Sequence, residues 1–483
     1  MEVLVSDSNG KPIVEPRIVR AGAIPWLLLA GLGLGSLMAL LTERRMWGPH
    51  LAYEGVAFGC FAAMLVLEAR RRWLTFRVVV VATAVLFAFA LAFPPGESAD
   101  VWSFVMYGRI VLHGDNPYTT PPNRFPEDRW LHLVRPVWRN TPSLYGPAFD
   151  LAAAGMVRAA SGSALRVRFG FQLLALLGVA GILMLLWRRT HDPGALAVIG
   201  LNPLVGVGVV NGAHNDALLG LAILAGVVLA GERRRVLAGL VLGVAALIKV
   251  VALLPVAIVC LWMWRRRGTR EAVATGSLAV AVALAGYLAL GDGSAVHAIG
   301  AESGLVTRFS LWRLASFPHS ASDVARAHYL RFSGPSVLSL LPMAAILLVA
   351  ILASIPGWKG RTPDRAVGLA VLAYLLAAPY VMPWYLMWVL PVLALAWRSR
   401  LVWIGLAQQA ALTVAYAVAL HKHFGPVGTA VRSGYFETLA VAQAVAALTL
   451  AFGWAAARAR RHRPLAVTRW PALAGVPAEE DVG

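Results

Sequence analysis

Apolar runs of the length needed to cross about 30 Å of hydrocarbon recur from Ala23 to Trp454, separated by polar knots. This recurrence excludes a single anchor on a soluble domain. Inside hydrocarbon every backbone amide must find its partner within the protein, which leaves a helical bundle or a closed barrel. Barrel strands alternate apolar and polar residues over segments of about ten residues, whereas these runs are apolar on all sides. The expected fold class is therefore all-α, a polytopic membrane protein. Composition agrees: 59% of the 483 residues are hydrophobic and 14% charged, too few charges to cover a water-soluble globule of that length.

The predicted spans are Ala23–Leu41, Leu51–Leu67, Val78–Phe93, Phe169–Trp187, Ala195–Val210, Ala217–Ala230, Val236–Val250, Val251–Trp264, Ala272–Leu290, Val337–Ile355, Ala366–Tyr380, Pro383–Trp397, Leu401–Leu420 and Thr438–Trp454. Several are short, so a bundle of about 13–15 transmembrane helices is expected. The formal charge of +19 comes largely from arginine knots between spans, among them Arg70–Arg72, Arg233–Arg235, Arg265–Arg267 and Arg458–Arg463. Such knots mark cytoplasmic loops, and no nucleic-acid partner is expected. They divide the chain into a cytoplasmic N-terminal segment (1–22), one multispan body (23–457) and a cytoplasmic basic tail (458–483), with outward loops at about 94–168 and 291–334. Glu2, Asp7 and Glu15 precede the first span without a convincing cleavage site, which reads as a retained first helix. Pro147 to Ala160 is apolar, yet as a crossing it would invert every later loop. Carrying Asp150 and Arg158, it fits a helix lying in the outer interface. Cys60 and Cys260 lie within spans and read as small core residues.

The first outward loop opens with "FPPGESADVWSFVMYGRIVLHGDNPYTTPP". Ala99 to Leu112 places Val101, Val105 and Leu112 on one helical face, with Trp102 and Tyr107 at headgroup depth, so it reads as a helix parallel to the membrane, ended by Gly114 and Pro117. Asp100, at its start and six residues past Pro94-Pro95, has two readings at this point. Ser98 or Asp100 caps the helix, or Asp100 acts chemically on a substrate that is half lipid and half polar.

The ordered set "GDNPY", "TPSLYGP" (141–147), "LNPL" (201–204), "NGAHNDAL" (211–218), "ALIKVVALLP" (246–255) and "MPWYLMWVLP" (382–391) resembles the actinobacterial polyprenyl-phosphate-mannose-dependent α-1,6-mannosyltransferases of lipomannan synthesis, members of the GT-C superfamily. The likeness runs in order from about Val78 to Pro391, with departures: Ser143-Leu144-Tyr145 stands where Ser-Pro-Tyr is expected, and Asn211-Gly212-Ala213-His214 where Gly-Gly-His is. The resemblance implies a GT-C-like helical bundle and a catalytic aspartate in the first outward loop, the position of Asp100. It would be the general base of an inverting transfer of mannose from a polyprenyl-phosphate donor to a glycolipid or lipoglycan acceptor, in an α-1,6 linkage, at the outer face of the cell membrane. An arabinosyl- or glucosyltransferase of the same donor chemistry is the alternative enzyme. A lipid-glycan flippase is the alternative class, for which paired repeats and midplane charges are expected.

A leaving phosphate needs cations, and Lys249, Arg109, Arg308 and Arg313 are the candidates. Lys249 stands out as a lysine in an apolar run, either functional or snorkelling to the interface. Sugar- and acceptor-binding candidates are Asp115, Asn116, Tyr118, Tyr145, His214, Asn215, Asp216, Trp384 and Tyr385, against turn, cap and interfacial-belt roles for the same residues. One imidazole beside one carboxylate is a weak metal signature, and no metal is expected. With no Walker loop or Rossmann glycine pattern, no nucleotide and no cofactor is expected.

Overall fold

The computed structural model describes residues 22–42, 47–96, 98–295, 305–314, 329–331, 340–420 and 426–461. All but the last residue of the expected 1–22 segment, all but the start of the 458–483 tail, and most of the 291–334 loop lie outside them. The chain is all-α, as expected. Its principal helices are α1 (Ala23–Thr42), α2 (Trp47–Arg71), α3 (Phe76–Ala92), α4 (Asp100–Leu112), α5 (Pro136–Arg139), α6 (Pro147–Ala159), α7 (Ala164–Thr190), α8 (Pro193–Gly200), α9 (Asp216–Gly231), α10 (Arg235–Ile248), α11 (Leu253–Arg267), α12 (Thr269–Gly291), α13 (Leu340–Ser354), α14 (Asp364–Ala377), α15 (Leu390–Ala394), α16 (Arg400–Leu420) and α17 (Pro426–Arg461). Among the described residues the strands are Leu305–Thr307 and Tyr329–Arg331, one antiparallel ribbon.

Among the described residues, six helices are individually long and apolar enough to cross a membrane, and a seventh crossing arises if α8 and the π-helical segment Val205–Asn211 count as one. These last two are bent by 59° where Asn202-Pro203 interrupts the run. Asn202 repairs the break locally: its Oδ1 accepts from the Leu204 amide at 3.0 Å and its Nδ2 donates to Gln409 at 2.8 Å. Other predicted spans are shorter helices or broken ones. Pro383–Trp397, expected as one run, is a 3-10 segment Pro383–Trp388 followed by the short α15, because Pro383 and Pro391 each lack an amide for the helical ladder.

The arginine knots gather at one end of the bundle. Arg189 pairs with Glu232, Arg235 with Glu271 at 3.0 Å, Arg267 donates to Ala230 and Gly231, Trp262 to Gly360, and Arg398 to Ala69. These contacts join the ends of α2, α7, α9 and α11 to the starts of α10 and α12 and to the segments that lead into α14 and α16. The opposite end carries the first long loop. There α6 lies across the bundle: its start donates the Gly146 amide to Ile248 at the end of α10, and Met156 packs on Gly170 near the start of α7.

Two close approaches fix this outer layer. A Cβ on Gly108 of α4 would stand 2.6 Å from the Ala153 carbonyl carbon of α6, and one on Gly146 would stand 2.1 Å from the Leu247 oxygen, so only glycine admits either contact. Beneath them Gln172 and Asn211 donate side-chain amides to the exposed carbonyls at the end of α3, Ala90 and Phe93 among them. These bonds satisfy a helix C-terminus inside the bundle and anchor the strand of chain leading to α4.

Candidate active site

At the end opposite the arginine knots, α4, the 141–146 loop, the turn before α9, the break after α10 and the 379–388 segment enclose a cavity of about 490 Å³. One wall is polar, with Asp100, Ser103, Tyr107, Tyr145, His214, Asp216 and Lys249. The other is apolar, with Val250, Val251, Leu253 and Leu254 facing Met343 and Leu347 of α13.

Asp100 is the first residue of α4, and its carboxylate makes no capping bond. Ser98 Oγ instead accepts the Asp100 amide at 3.1 Å, so the cap and the acid are separate residues. The Asp100 side chain is 22% exposed and opens onto the cavity. Burial pushes its carboxyl up from the ordinary value, opposed by the Arg135 charge, the Ser98 hydroxyl and the Lys249 charge.

His214, in the turn between Asn211 and α9, stacks on Trp384 with centroids 3.8 Å apart and planes 15° from parallel. Its Nδ1 lies 3.8 Å from Asp100 Oδ2 and 4.0 Å from Asp216 Oδ2, too far for a hydrogen bond to either. Burial and the cations of Lys249 and Arg135 hold the imidazole neutral by lowering its pKa.

Lys249 sits where α10 breaks, in extended conformation between the helix end and the 3-10 turn Val250–Ala252. Its Nζ donates to Asp216 Oδ1 at 2.8 Å and stands 4.7 Å from the Tyr385 ring centroid, 5.4 Å from Trp388 and 5.5 Å from Tyr145. Trp388 Nε1 donates to the same Asp216 oxygen at 2.6 Å. A snorkelling lysine points to solvent; this one is 12% exposed and held inside the cavity.

Asp100, Tyr145, His214, Asp216, Lys249, Trp384 and Tyr385, far apart in sequence, thus meet in one cavity. The other expected site residues do not line it. Arg109 points to Asp128 and is held there by an ion pair. Asp115 is exposed in the turn that ends α4. Asn116 accepts the Tyr118 amide and donates to Gly291 and Ser294, which fastens the turn to the end of α12. Tyr118 is buried against Gly291 in that joint. Asn215 is buried and does not line the cavity. Arg308 belongs to the segment that Thr307 ties to Pro379, and the Arg313 side chain lies outside the described residues. Arg135, absent from the expected site set, donates to Tyr416 at 3.3 Å and acts on Asp100 through its charge. Among the described residues no group of three or more His, Cys, Asp or Glu side chains is placed to hold a metal ion.

Fold and site define a multi-pass helical membrane protein with a two-acid, one-lysine cavity at one end of its bundle. The chain matches the alpha-(1->6)-mannopyranosyltransferase N-terminal domain over residues 20–266 and belongs to that family. It is 29% identical over 331 residues to alpha-(1->6)-mannopyranosyltransferase A of Mycobacterium tuberculosis, covering 63% of each chain. It is 23% identical over 406 residues to alpha-(1->6)-mannopyranosyltransferase B of Corynebacterium glutamicum, covering 74% of this chain and 64% of the relative. The matched region thus spans a little under two thirds of these relatives' length. No solved structure matches the chain.

Proposed function

We propose that the chain is an inverting mannosyltransferase that takes its sugar from a polyprenyl-phosphate donor. It adds the sugar in α-1,6 linkage to a glycolipid or lipoglycan acceptor at the outer face of the cell membrane. The observation that carries this reading is the presence together, in one cavity, of the Asp100 carboxylate at the start of α4 and the largely buried Lys249 ammonium. A lipid-linked sugar phosphate has the matching parts. Its prenyl chain suits the apolar wall of α11 and α13, its phosphate suits Lys249, and its hexose suits the aromatic and polar wall.

In the proposed step an acceptor hydroxyl oxygen forms a bond to the anomeric carbon on the face opposite the phosphate. The bond from that carbon to the phosphate oxygen breaks, and its electron pair leaves with polyprenyl phosphate. The hydroxyl proton passes to Asp100, and Lys249 takes up charge developing on the leaving phosphate. One displacement inverts the centre, so a β-linked donor gives an α-linked product. Reactions in the outer leaflet have no access to cytosolic nucleotide sugars, which favours a lipid-linked donor. The arginine knots at the far end of the bundle support that orientation.

The test is transfer by the purified protein in liposomes from polyprenyl-phosphate-mannose to a short α-mannoside, with the product linkage read by NMR. An α-1,6 product is expected. A β-linked product would overturn the single displacement, and no transfer with this donor while GDP-mannose is used would overturn the donor class.

A further inference from the structure

Two acids and one lysine share this cavity, yet the lysine is bonded to only one of them. Asp216 is 1% exposed, and two hydrogen bonds converge on its Oδ1, from Lys249 at 2.8 Å and from Trp388 at 2.6 Å. Trp388 is itself stacked on Tyr385, with centroids 4.3 Å apart, and the Lys249 ammonium lies within cation–π reach of both rings and of Tyr145. Lysine is a point charge on a flexible four-carbon stem, so its position is defined only by what holds it. Here a carboxylate and three rings hold it. The second consequence concerns Asp100. Because Asp216 takes the direct bond to the ammonium, Asp100 is left without one and keeps its basic oxygens for a hydroxyl proton.

We infer that Asp216 is a positioning residue: with Trp388 it fixes the Lys249 ammonium to receive the phosphate of the lipid donor and keeps that ammonium from pairing with Asp100. The inference rests on the proposed donor chemistry, and it replaces a direct sugar contact as the expected role of Asp216. Asp216 sits at the first turn of α9, on a helix joined to α7 and α10, while Trp388 comes from the 379–388 segment. The ammonium is thereby held by side chains from two segments distant in sequence that pack on each other at Gly220 and Met387.

The experiment is a double-mutant cycle read by binding of a polyprenyl phosphate that carries no sugar. Asp216→Asn and Lys249→Met are measured singly and together in detergent or nanodiscs, with Asp216→Glu and Trp388→Phe beside them. Contacting pairs couple by about 0.5–3 kcal/mol, roughly twofold to a hundredfold in a binding constant. Asp216→Asn should weaken binding of the sugar-free phosphate about tenfold, and the double variant should bind no worse than Lys249→Met alone. Asp216→Glu should recover part of the loss, and Trp388→Phe, which removes only the indole N–H from Oδ1, should show a smaller loss of the same kind. Additive losses, or Asp216→Asn binding the sugar-free phosphate as the parent does, overturn the inference. If Asp216→Asn does not fold, the Trp388→Phe and Lys249→Met cycle decides alone by the same criterion. A protein that shows this coupling but transfers no mannose would refute the proposed reaction while leaving the lysine's positioning intact.

Discussion

The glycine at 108 offers a direct test of how tightly the outer layer holds the proposed base. Replacing it with alanine adds one methyl group, and that methyl would lie 2.6 Å from the Ala153 carbonyl carbon, 2.7 Å from its oxygen and 2.8 Å from the Ala154 nitrogen. All three atoms are backbone of α6, so no side chain can turn away. Ordinary carbon contacts begin near 3.5 Å, and α4 must therefore retreat from α6 by something approaching 1 Å. Overpacking of this kind costs about 1–3 kcal/mol of stability. The larger effect falls on rate, because Asp100 rides on the same helix and a displacement of about 1 Å at a reacting group costs roughly a hundredfold. The control is Gly155→Ala on α6, where nothing lies within 4 Å of the added carbon and helix propensity alone favours alanine by up to about 1 kcal/mol. Melting in detergent and mannosyl transfer are measured for both. Gly108→Ala should melt lower and transfer about a hundredfold more slowly, with Gly155→Ala at or above parental stability and at parental rate. Parental transfer by Gly108→Ala would show that the α4–α6 contact does not position the acid.

Further outcomes follow from the same geometry. Burial raises the Asp100 carboxyl, and the base works only when ionised. The acid limb of kcat/KM against pH should therefore lie above the ordinary carboxylate value. Arg135→Gln, which removes a charge that lowers that pKa, should move the limb to still higher pH, and a limb that stays in place would remove Arg135 from the electrostatics of the site. For orientation, in a variant lacking Cys60 and Cys260, a cysteine at Asn123 should react with an impermeant reagent on intact cells and one at Gly268 should not. The reverse pattern would place the cavity on the cytoplasmic side.

Much of the site was legible because its residues violate the rule of their surroundings. An acid beside a membrane exit, a lysine in an apolar run and a His-Asn-Asp turn between spans each cost free energy in a bilayer unless something holds them. Those are Asp100, Lys249, His214 and Asp216, and they meet in the cavity. What could not be read was who pairs with whom. Arg109 and Lys249 are both cations near the end of the bundle opposite the arginine knots, but Arg109 finds Asp128 across a loop, whereas Lys249 finds Asp216 and Trp388 from separate segments. Nothing in the local spacing of 135–139 marks Arg135, whose approach to Asp100 depends on how the loop folds back over α4. Asn116 shows the converse: its turn was legible from Gly-Asp-Asn-Pro, but its bonds to Gly291 and Ser294 join segments more than 170 residues apart. The helical class followed from the apolar runs. The 59° bend between α8 and the π-helical segment, and the shortened 383–394 stretch, came from prolines whose effect depends on neighbouring helices satisfying the freed groups.

The central claim is that Asp100 takes the acceptor's proton, and Asp100→Asn tests it most directly. The substitution keeps size and polarity but removes the basic oxygen, and Ser98 rather than Asp100 caps the helix, so α4 should be undisturbed. Loss of a general base costs about a hundredfold to ten-thousandfold in rate. The account predicts a protein that melts like the parent, binds polyprenyl phosphate like the parent, and transfers mannose at least about a hundredfold more slowly. Near-parental transfer by well-folded Asp100→Asn would contradict it and remove Asp100 from the reaction.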